Sequence, residues 1–306
     1  MEIKVVEEKN IKVIITNDNN EEVAKATCFI ENTPEKDGKR VGTIGEIEIK
    51  DYSLSKMLFD KCEEILKSKG FSFVVAPMNG NTWKKYRTLK STTGELPFAL
   101  ENVDPIELNE ALLNAGFNEL HTYTSTKGSL DDAYAGEALK AVEERMNNEN
   151  IILRDFRKAE YKEDLRKIYN ISVESFIRNP LYTPVSEEEF IKQYEPYINM
   201  VDENLILIAE KDGKEIGFVF CIPNFNEMKI KGHIETVILK TIAVLPEYQS
   251  LSLGSLMISK IANVSKAKGY KDWIYAFMYS HNTSQRMASR NKTNVIREYA
   301  LYGKEI

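Results

Sequence analysis

Thr241-Ile242-Ala243-Val244-Leu245-Pro246-Glu247-Tyr248-Gln249-Ser250-Leu251-Ser252-Leu253-Gly254-Ser255-Leu256-Met257 is the stretch on which the fold turns. An apolar strand ends at Val244. Pro246 then breaks the pairing, because it has no N–H to give a neighbouring strand. Small residues around Gly254 open a helix. At such an entry the first backbone N–H groups have no intrahelical partner, and the helix dipole adds positive potential. A phosphate or pyrophosphate can be seated there without basic side chains. The other reading of the same residues is a plain strand–loop–helix connection.

The elements on either side agree with a mixed fold. Upstream, residues 151–156 read as a strand and 161–176 as a helix. Ser186 and Glu189, three apart, form a capping-box pattern. Residues 205–210 and 216–222 read as a hairpin turning at Asp212-Gly213, followed by a long strand over 235–244. Downstream come a helix over 253–268, a stop at Gly269 and a strand over 272–278.

Residues 1–129 repeat that order of elements. Strands are expected at 12–16, 22–30 and 41–49. A helix follows over 53–69, with Leu54, Met57, Leu58, Cys62, Ile65 and Leu66 on one stripe, Ser53 as its cap and Gly70 as its stop. A strand at 71–76, a helix at 106–117 and a strand at 121–126 complete the unit. An Ala/Glu-rich helix within 130–150 reads as the linker. The expectation is therefore an α+β chain of two tandem units, 1–129 and 151–306, each a twisted, mostly antiparallel mixed sheet flanked by helices.

At this point the residues resemble the GNAT superfamily of acyl-CoA-dependent N-acetyltransferases. The family's acetyl-CoA loop runs Gln/Arg-x-x-Gly-x-Gly/Ala after a strand ending Val-x-Pro. Gln249, Gly254 and Val244-Leu245-Pro246 fit that pattern, and Ser252 stands where the family usually has its first glycine. The resemblance implies acetyl-CoA held by Ile242, Val244, Gln249, Leu251, Ser252, Leu253, Gly254 and Ser255, with Asn282 bonding the pantetheine arm at the next helix. Asn is also a preferred helix cap in any protein. Seven residues on, the family's thiolate-protonating Tyr is replaced by Ser289, so Tyr279 or Tyr275 would have to serve. Glu235, His233 and His281 are candidate bases for the incoming amine. Residues 1–129 resemble a degenerate copy: only Lys50-Asp51-Tyr52 joins the strand to the helix, with no glycine. Met78, Trp83, Tyr86 and Arg87 after the 71–76 strand would line a pocket, with Arg87 pairing a carboxylate, or would pack their aromatics onto the other half.

Composition bounds these expectations. The 306 residues carry 41 Lys+Arg against 47 Asp+Glu, a net charge of −6, which disfavours a general nucleic-acid binder. Residues 1–150 hold 19 basic and 27 acidic side chains, net −8, and residues 151–306 hold 22 and 20, net +2. The acid half suits a cationic amine, and the near-neutral half the polyanionic ligand. No stretch approaches the ~18 apolar residues of a membrane span. An acidic start and three scattered cysteines point to a cytoplasmic chain without disulfides or bound metal. The expected function is acetyl transfer from acetyl-CoA to the primary amine of a small molecule or peptide, without nucleic-acid or membrane partners. The alternative is a non-catalytic CoA-binding or regulatory module.

Overall fold

The computed structural model describes residues 1–133 and 137–306. The first half begins with strands β1 (Glu2–Glu7), β2 (Ile11–Thr16) and β3 (Glu22–Phe29), then a small two-stranded ribbon, β4 (Glu35–Lys36) with β5 (Lys39–Arg40). There follow β6 (Gly42–Ile49), α1 (Ser55–Ser68), β7 (Phe73–Ala76), β8 (Thr88–Thr92), α2 (Glu107–Asn114) and β9 (Asn118–Ser129). Helix α3 (Glu137–Asn148) leads to β10 (Ile151–Asp155), α4 (Tyr161–Phe176) and α5 (Glu187–Tyr194). The hairpin β11 (Ile206–Lys211) and β12 (Lys214–Pro223) comes next, then α6 (Phe225–Lys231), β13 (Thr236–Val244) and α7 (Leu253–Ala267). The chain closes with β14 (Asp272–Tyr279), α8 (Ser284–Arg290) and β15 (Asn294–Glu305).

Local chemistry accounts for most of these boundaries. Asp212 and Gly213 both take positive φ, 49° and 80°, as a two-residue hairpin turn of the primed type requires. The capping box is complete: the Glu189 N–H donates to Ser186 Oγ, and the Ser186 N–H donates to the Glu189 carboxylate. Gly70 stops α1 at φ 86°. Ser53 is not the cap at that helix entry; the Asp51 carboxylate accepts from the Ser53 N–H instead, at 3.0 Å. The expected linker helix is shorter than its sequence pattern. Leu130–Asp132 is a 3₁₀ turn, α3 begins at Glu137, and residues 134–136 lie outside the described residues.

Among the described residues, thirteen strands form one sheet in the order β1-β2-β3-β6-β7-β15-β9-β14-β13-β12-β11-β10, with β8 also on β15. The terminal strand is the join. Tyr302–Glu305 of β15 pairs with β7, and Asn294–Gly303 pairs with β9, which itself pairs with β14. The last strand of each half therefore lies between strands of the other. Ala300, Leu301 and Tyr302 are buried in that seam. A core on α1 and α2 serves the first half and cores on α7 and on α4–α5 serve the second. Helix α4 is anchored by Asp164, whose carboxylate accepts a bidentate pair from Arg154 at 2.8 Å each and a further bond from Arg157 at 2.6 Å. The aromatics after β7 do pack on the other half: Trp83 Nε1 donates to the Thr183 carbonyl at 2.7 Å, and its ring stands edge-on to Phe190.

Candidate active site

The site grows from a fault between two parallel strands. β13 and β14 pair only through Thr236–Leu239 and Asp272–Tyr275. Beyond that point Lys240 is an extra residue in β13, between the pairs Leu239–Cys221 and Thr241–Phe220. It forms a bulge that bends the strand. β14 has its own irregularity between Tyr275 and Met278, with Phe277 at φ 56°. β13 stays with β12 and β14 stays with β9, so the two strands part toward their C-terminal ends. The wedge opens into a cavity of about 900 Å³ lined by Lys240, Thr241, Ile242, Phe277 and Tyr279, by Arg87 and Tyr123 of the first half, and by Leu165 and Ile168 of α4.

The loop above the wedge has the expected form, with two unexpected details. Ser252 takes φ 60°, the left-handed conformation that favours glycine, at the position where the family carries one. It makes no side-chain cap, so the N–H groups of Leu253 and Gly254 in the first turn have no intrahelical acceptor. The Ser255 and Leu256 N–H groups donate to the Ser252 carbonyl. Gln249 braces the loop, its Nε2 donating to the Val244 carbonyl at 3.0 Å. Gly254 has a packing reason of its own, since a Cβ there would stand 3.1 Å from Met287 Cε and 3.5 Å from Ile242 Cδ1. Leu253 is fully buried and Leu251 half-buried against the α7 core. Of Leu253, only the backbone can face a ligand.

The structure brings together some of the expected residues and separates others. Ile242, Tyr279 and Asn282 line the cavity; Val244 and the Gln249–Ser255 loop lie outside its lining. Asn282 does not cap a helix: α8 begins at Ser284, and Asn282 Oδ1 accepts from the Thr283 hydroxyl. His281 is exposed in the turn after β14, its ring 5.4 Å from that of Tyr279. Glu235 stands at the opposite end of β13, nine residues from Val244 and so roughly 30 Å along the strand. There it is ion-paired with Lys271 and Lys231. The Lys271 contact holds its carboxyl below the usual range. His233 shares that end of the strand. Tyr275 is buried and accepts from Asn291 Nδ2 at 2.9 Å, and Ser289 is exposed with its hydroxyl on the Gln285 carbonyl.

Two side chains absent from the expected set stand at the site: Lys240 in the cavity lining and His121 behind Tyr279, outside it. His121 of β9 has Nδ1 3.3 Å from Tyr279 Oη, and its pKa is lowered by burial and then by His281, which favours the neutral imidazole. Lys240 faces the cavity, its Nζ 4.8 Å from the Phe277 ring. The signal for Lys240 was present in the sequence, as one cation inside the apolar run 236–244. For His121 there was none, since its partner is 158 residues away.

Residues 165–290 match the Acetyltransferase (GNAT) family. A curated relative, "Bacterial ceramide synthase" of Caulobacter vibrioides, is 22% identical over 192 residues, covering 62% of this chain and 50% of its own length. The chain thus spans about half of that relative. Among solved structures, a glucosamine N-acetyltransferase region of a fungal multi-domain β-N-acetylglucosaminidase superposes with a TM-score of 0.60. That match is at 12% identity and covers 96% of this chain and 33% of the other. A tandem GNAT protein from the clavulanic acid biosynthesis pathway gives a TM-score of 0.53 at 9% identity, covering 97% and 82%. Both superpositions take in both halves, so the whole chain has the tandem GNAT fold. The family match thus falls on residues 165–290, the segment that carries β13, the loop at Ser252 and the entry of α7.

Proposed function

We propose that the chain is an N-acyltransferase that moves an acetyl group from acetyl-CoA to a primary amine of a small molecule or peptide. The observation that carries this reading is the open wedge between β13 and β14, with β13 running through the 245–252 loop into an uncapped α7. In this reading residues 1–129 and 151–306 are two units joined by the 130–150 linker, and the second binds the acyl donor. The residues present fit acyl-CoA on two counts. α7 offers N–H groups that no side chain occupies, and β13 beyond Leu239 has a strand partner on one edge only.

Acyl-CoA would supply the acyl group already activated as a thioester. The Leu253 and Gly254 N–H groups, with the hydroxyls of Ser252 and Ser255, would hold the pyrophosphate, and Gln249 would keep the loop in that shape. Backbone groups of Ile242 and Val244 would align the pantetheine arm and polarise the carbonyl, with Asn282 on the opposite side. Tyr279, at hydrogen-bond distance from a neutral His121, would donate the proton that the departing thiolate needs, and His281 at the mouth would accept the amine's proton. Glu235, fixed by lysines at the far end of the strand, has no part in this chemistry. Thiol release measured over a panel of primary amines is the test. Activity in the full chain and a fall of at least about tenfold in kcat for Tyr279→Phe are expected; acyl-CoA binding with no thiol release from any amine would favour the CoA-binding module instead.

A longer acyl chain is the second reading. The cavity volume of about 900 Å³ far exceeds what an acetyl group needs, and much of its lining is aromatic or aliphatic. The curated relative's name concerns a lipid amide. Comparing acetyl-CoA with a long-chain acyl-CoA in the same assay distinguishes the two.

A further inference from the structure

Five cations, Lys84, Lys85, Arg87, Lys229 and Lys240, line the cavity with no carboxylate among the described lining residues, and two of them, Arg87 and Lys240, stand together on the Phe277 ring. Arg87 comes from the loop between β7 and β8, is 6% exposed, and lines the cavity. Its guanidinium carbon stands 4.3 Å from the Tyr86 ring centroid, 4.3 Å from Phe277 and 4.8 Å from Tyr123. Among the described residues its guanidinium makes no ion pair, and its buried Nε has no hydrogen-bond partner. Lys240, from the bulge of β13, shares the Phe277 ring with Arg87 and likewise has no carboxylate partner among the described residues. Burial and then the charge of Arg87 lower its pKa to about 7. Aromatic faces offset part of the cost of a buried cation. They leave its N–H donors unanswered, and buried donors without acceptors are rare enough in folded proteins to require a reason. Two buried carboxylates of the first half are already taken: Glu101 accepts from Arg297 Nε and the Tyr299 hydroxyl, and Asp104 pairs with Lys85.

We infer that Arg87 and Lys240 form an anion subsite, contributed jointly by the two halves, that receives the carboxylate of the acceptor, so that the acceptor is an amino-acid-like amine carrying a carboxylate near its nucleophilic nitrogen. This inference rests on the acyl-transfer reading for the word acceptor, but not for the existence of the subsite. A carboxylate matches the fork of a guanidinium and adds a charge-assisted bond from the ammonium. The aromatic walls would cover the acceptor's apolar part. The same two cations act on the amine, since a protonated amine beside them is disfavoured by like charge. A carboxylate bound in the subsite would thus present its amine in the neutral form that attacks the acyl carbon. The acid excess of the first half therefore does not describe the wall that the acceptor meets.

The test is calorimetric binding to the full chain, without acyl donor, of matched pairs that differ only by the carboxylate: phenylalanine with phenethylamine, leucine with isoamylamine, and glutamate with 4-aminobutyrate as a pair that retains a second carboxylate. At least one amino acid is expected to bind roughly tenfold or more tighter than its decarboxylated partner, as hydrogen bonds to charged groups contribute. Arg87→Gln and Lys240→Met should each move that ratio toward one. Lys240→Met serves as the second variant should loss of Arg87 unfold its aromatic surround. The inference is overturned if no pair favours the carboxylate form, if the ratio survives both substitutions, or if inorganic phosphate displaces the amino acid more strongly than acetate does. Acyl-CoA binding is measured separately. Its absence with the carboxylate preference intact would sink the acyl-transfer reading and leave the subsite standing.

Discussion

The two halves of the molecule contain the same wedge and treat it oppositely. In the first half β6 and β7 pair in parallel only at Gly42–Val74 and Thr43–Val75 before parting. The chain then fills the gap itself. The Met78 N–H donates to the Ile44 carbonyl at 2.8 Å, and Asn79 Oδ1 accepts from the Glu46 N–H at 2.9 Å. A Cβ on Gly45 would stand 2.6 Å from the Met78 carbonyl oxygen, so glycine is what lets this plug seat. The helix entry is closed as well, because the Asp51 carboxylate occupies the place where an anionic ligand would sit. In the second half, among the described residues, no backbone pairs with the edge of β13 that β14 leaves beyond Leu239, and Ser252 leaves the α7 entry uncapped. Even the bulges differ. Glu46 on β6 is exposed and accepts from the Thr27 hydroxyl, whereas Lys240 on β13 faces the cavity. One architecture thus yields a wedge plugged by its own loop in the first half and an open wedge in the second.

The seam that joins the halves gives the largest expected effect. Leu301 on β15 is fully buried between β7 and β9. Leu301→Ala should cost roughly 2–5 kcal/mol, and both halves should unfold together in denaturant when followed by probes in each. Separate transitions would mean that the halves are stabilised independently and that the comparison is one between two autonomous units.

A pH experiment separates the open wedge from the plugged one. Lys240 has a folded-state pKa of about 7 against an ordinary value of 10.5, set by burial and then by Arg87. Between those values the unfolded chain binds more protons than the folded one, so this group makes stability rise with pH. The cost of carrying the charge is fully present below pH 7 and fades toward 10.5. Lys240→Met should therefore stabilise the fold most near pH 6–7 and least near pH 10, read from denaturant midpoints. A pH-independent gain would mean that Lys240 is solvated rather than held in the wedge.

Sequence reading carried the fold far, because most elements announce themselves locally. The Asp212-Gly213 turn, the Ser186–Glu189 box and the α7 entry at Ser252 are each decided by neighbours within a few residues. β15 escaped notice since both of its faces are buried at the centre of the sheet, which removes the alternation that marks a half-exposed strand. The wedge was equally hidden, because parting of β13 from β14 depends on which strands claim their other edges. Of the site, the loop residues were legible as a motif, and Arg87 as a cation amid aromatics. His121 beside Tyr279 is a contact made only by the exchange of β9 into the second half.

Titration of acetyl-CoA into the full chain by calorimetry tests the central claim most directly. The account predicts one molecule bound per chain, with affinity lowered roughly tenfold or more by Ser252→Asp, which places at α7 the carboxylate that Asp51 places at α1. Two molecules per chain, or binding indifferent to Ser252→Asp, would contradict it.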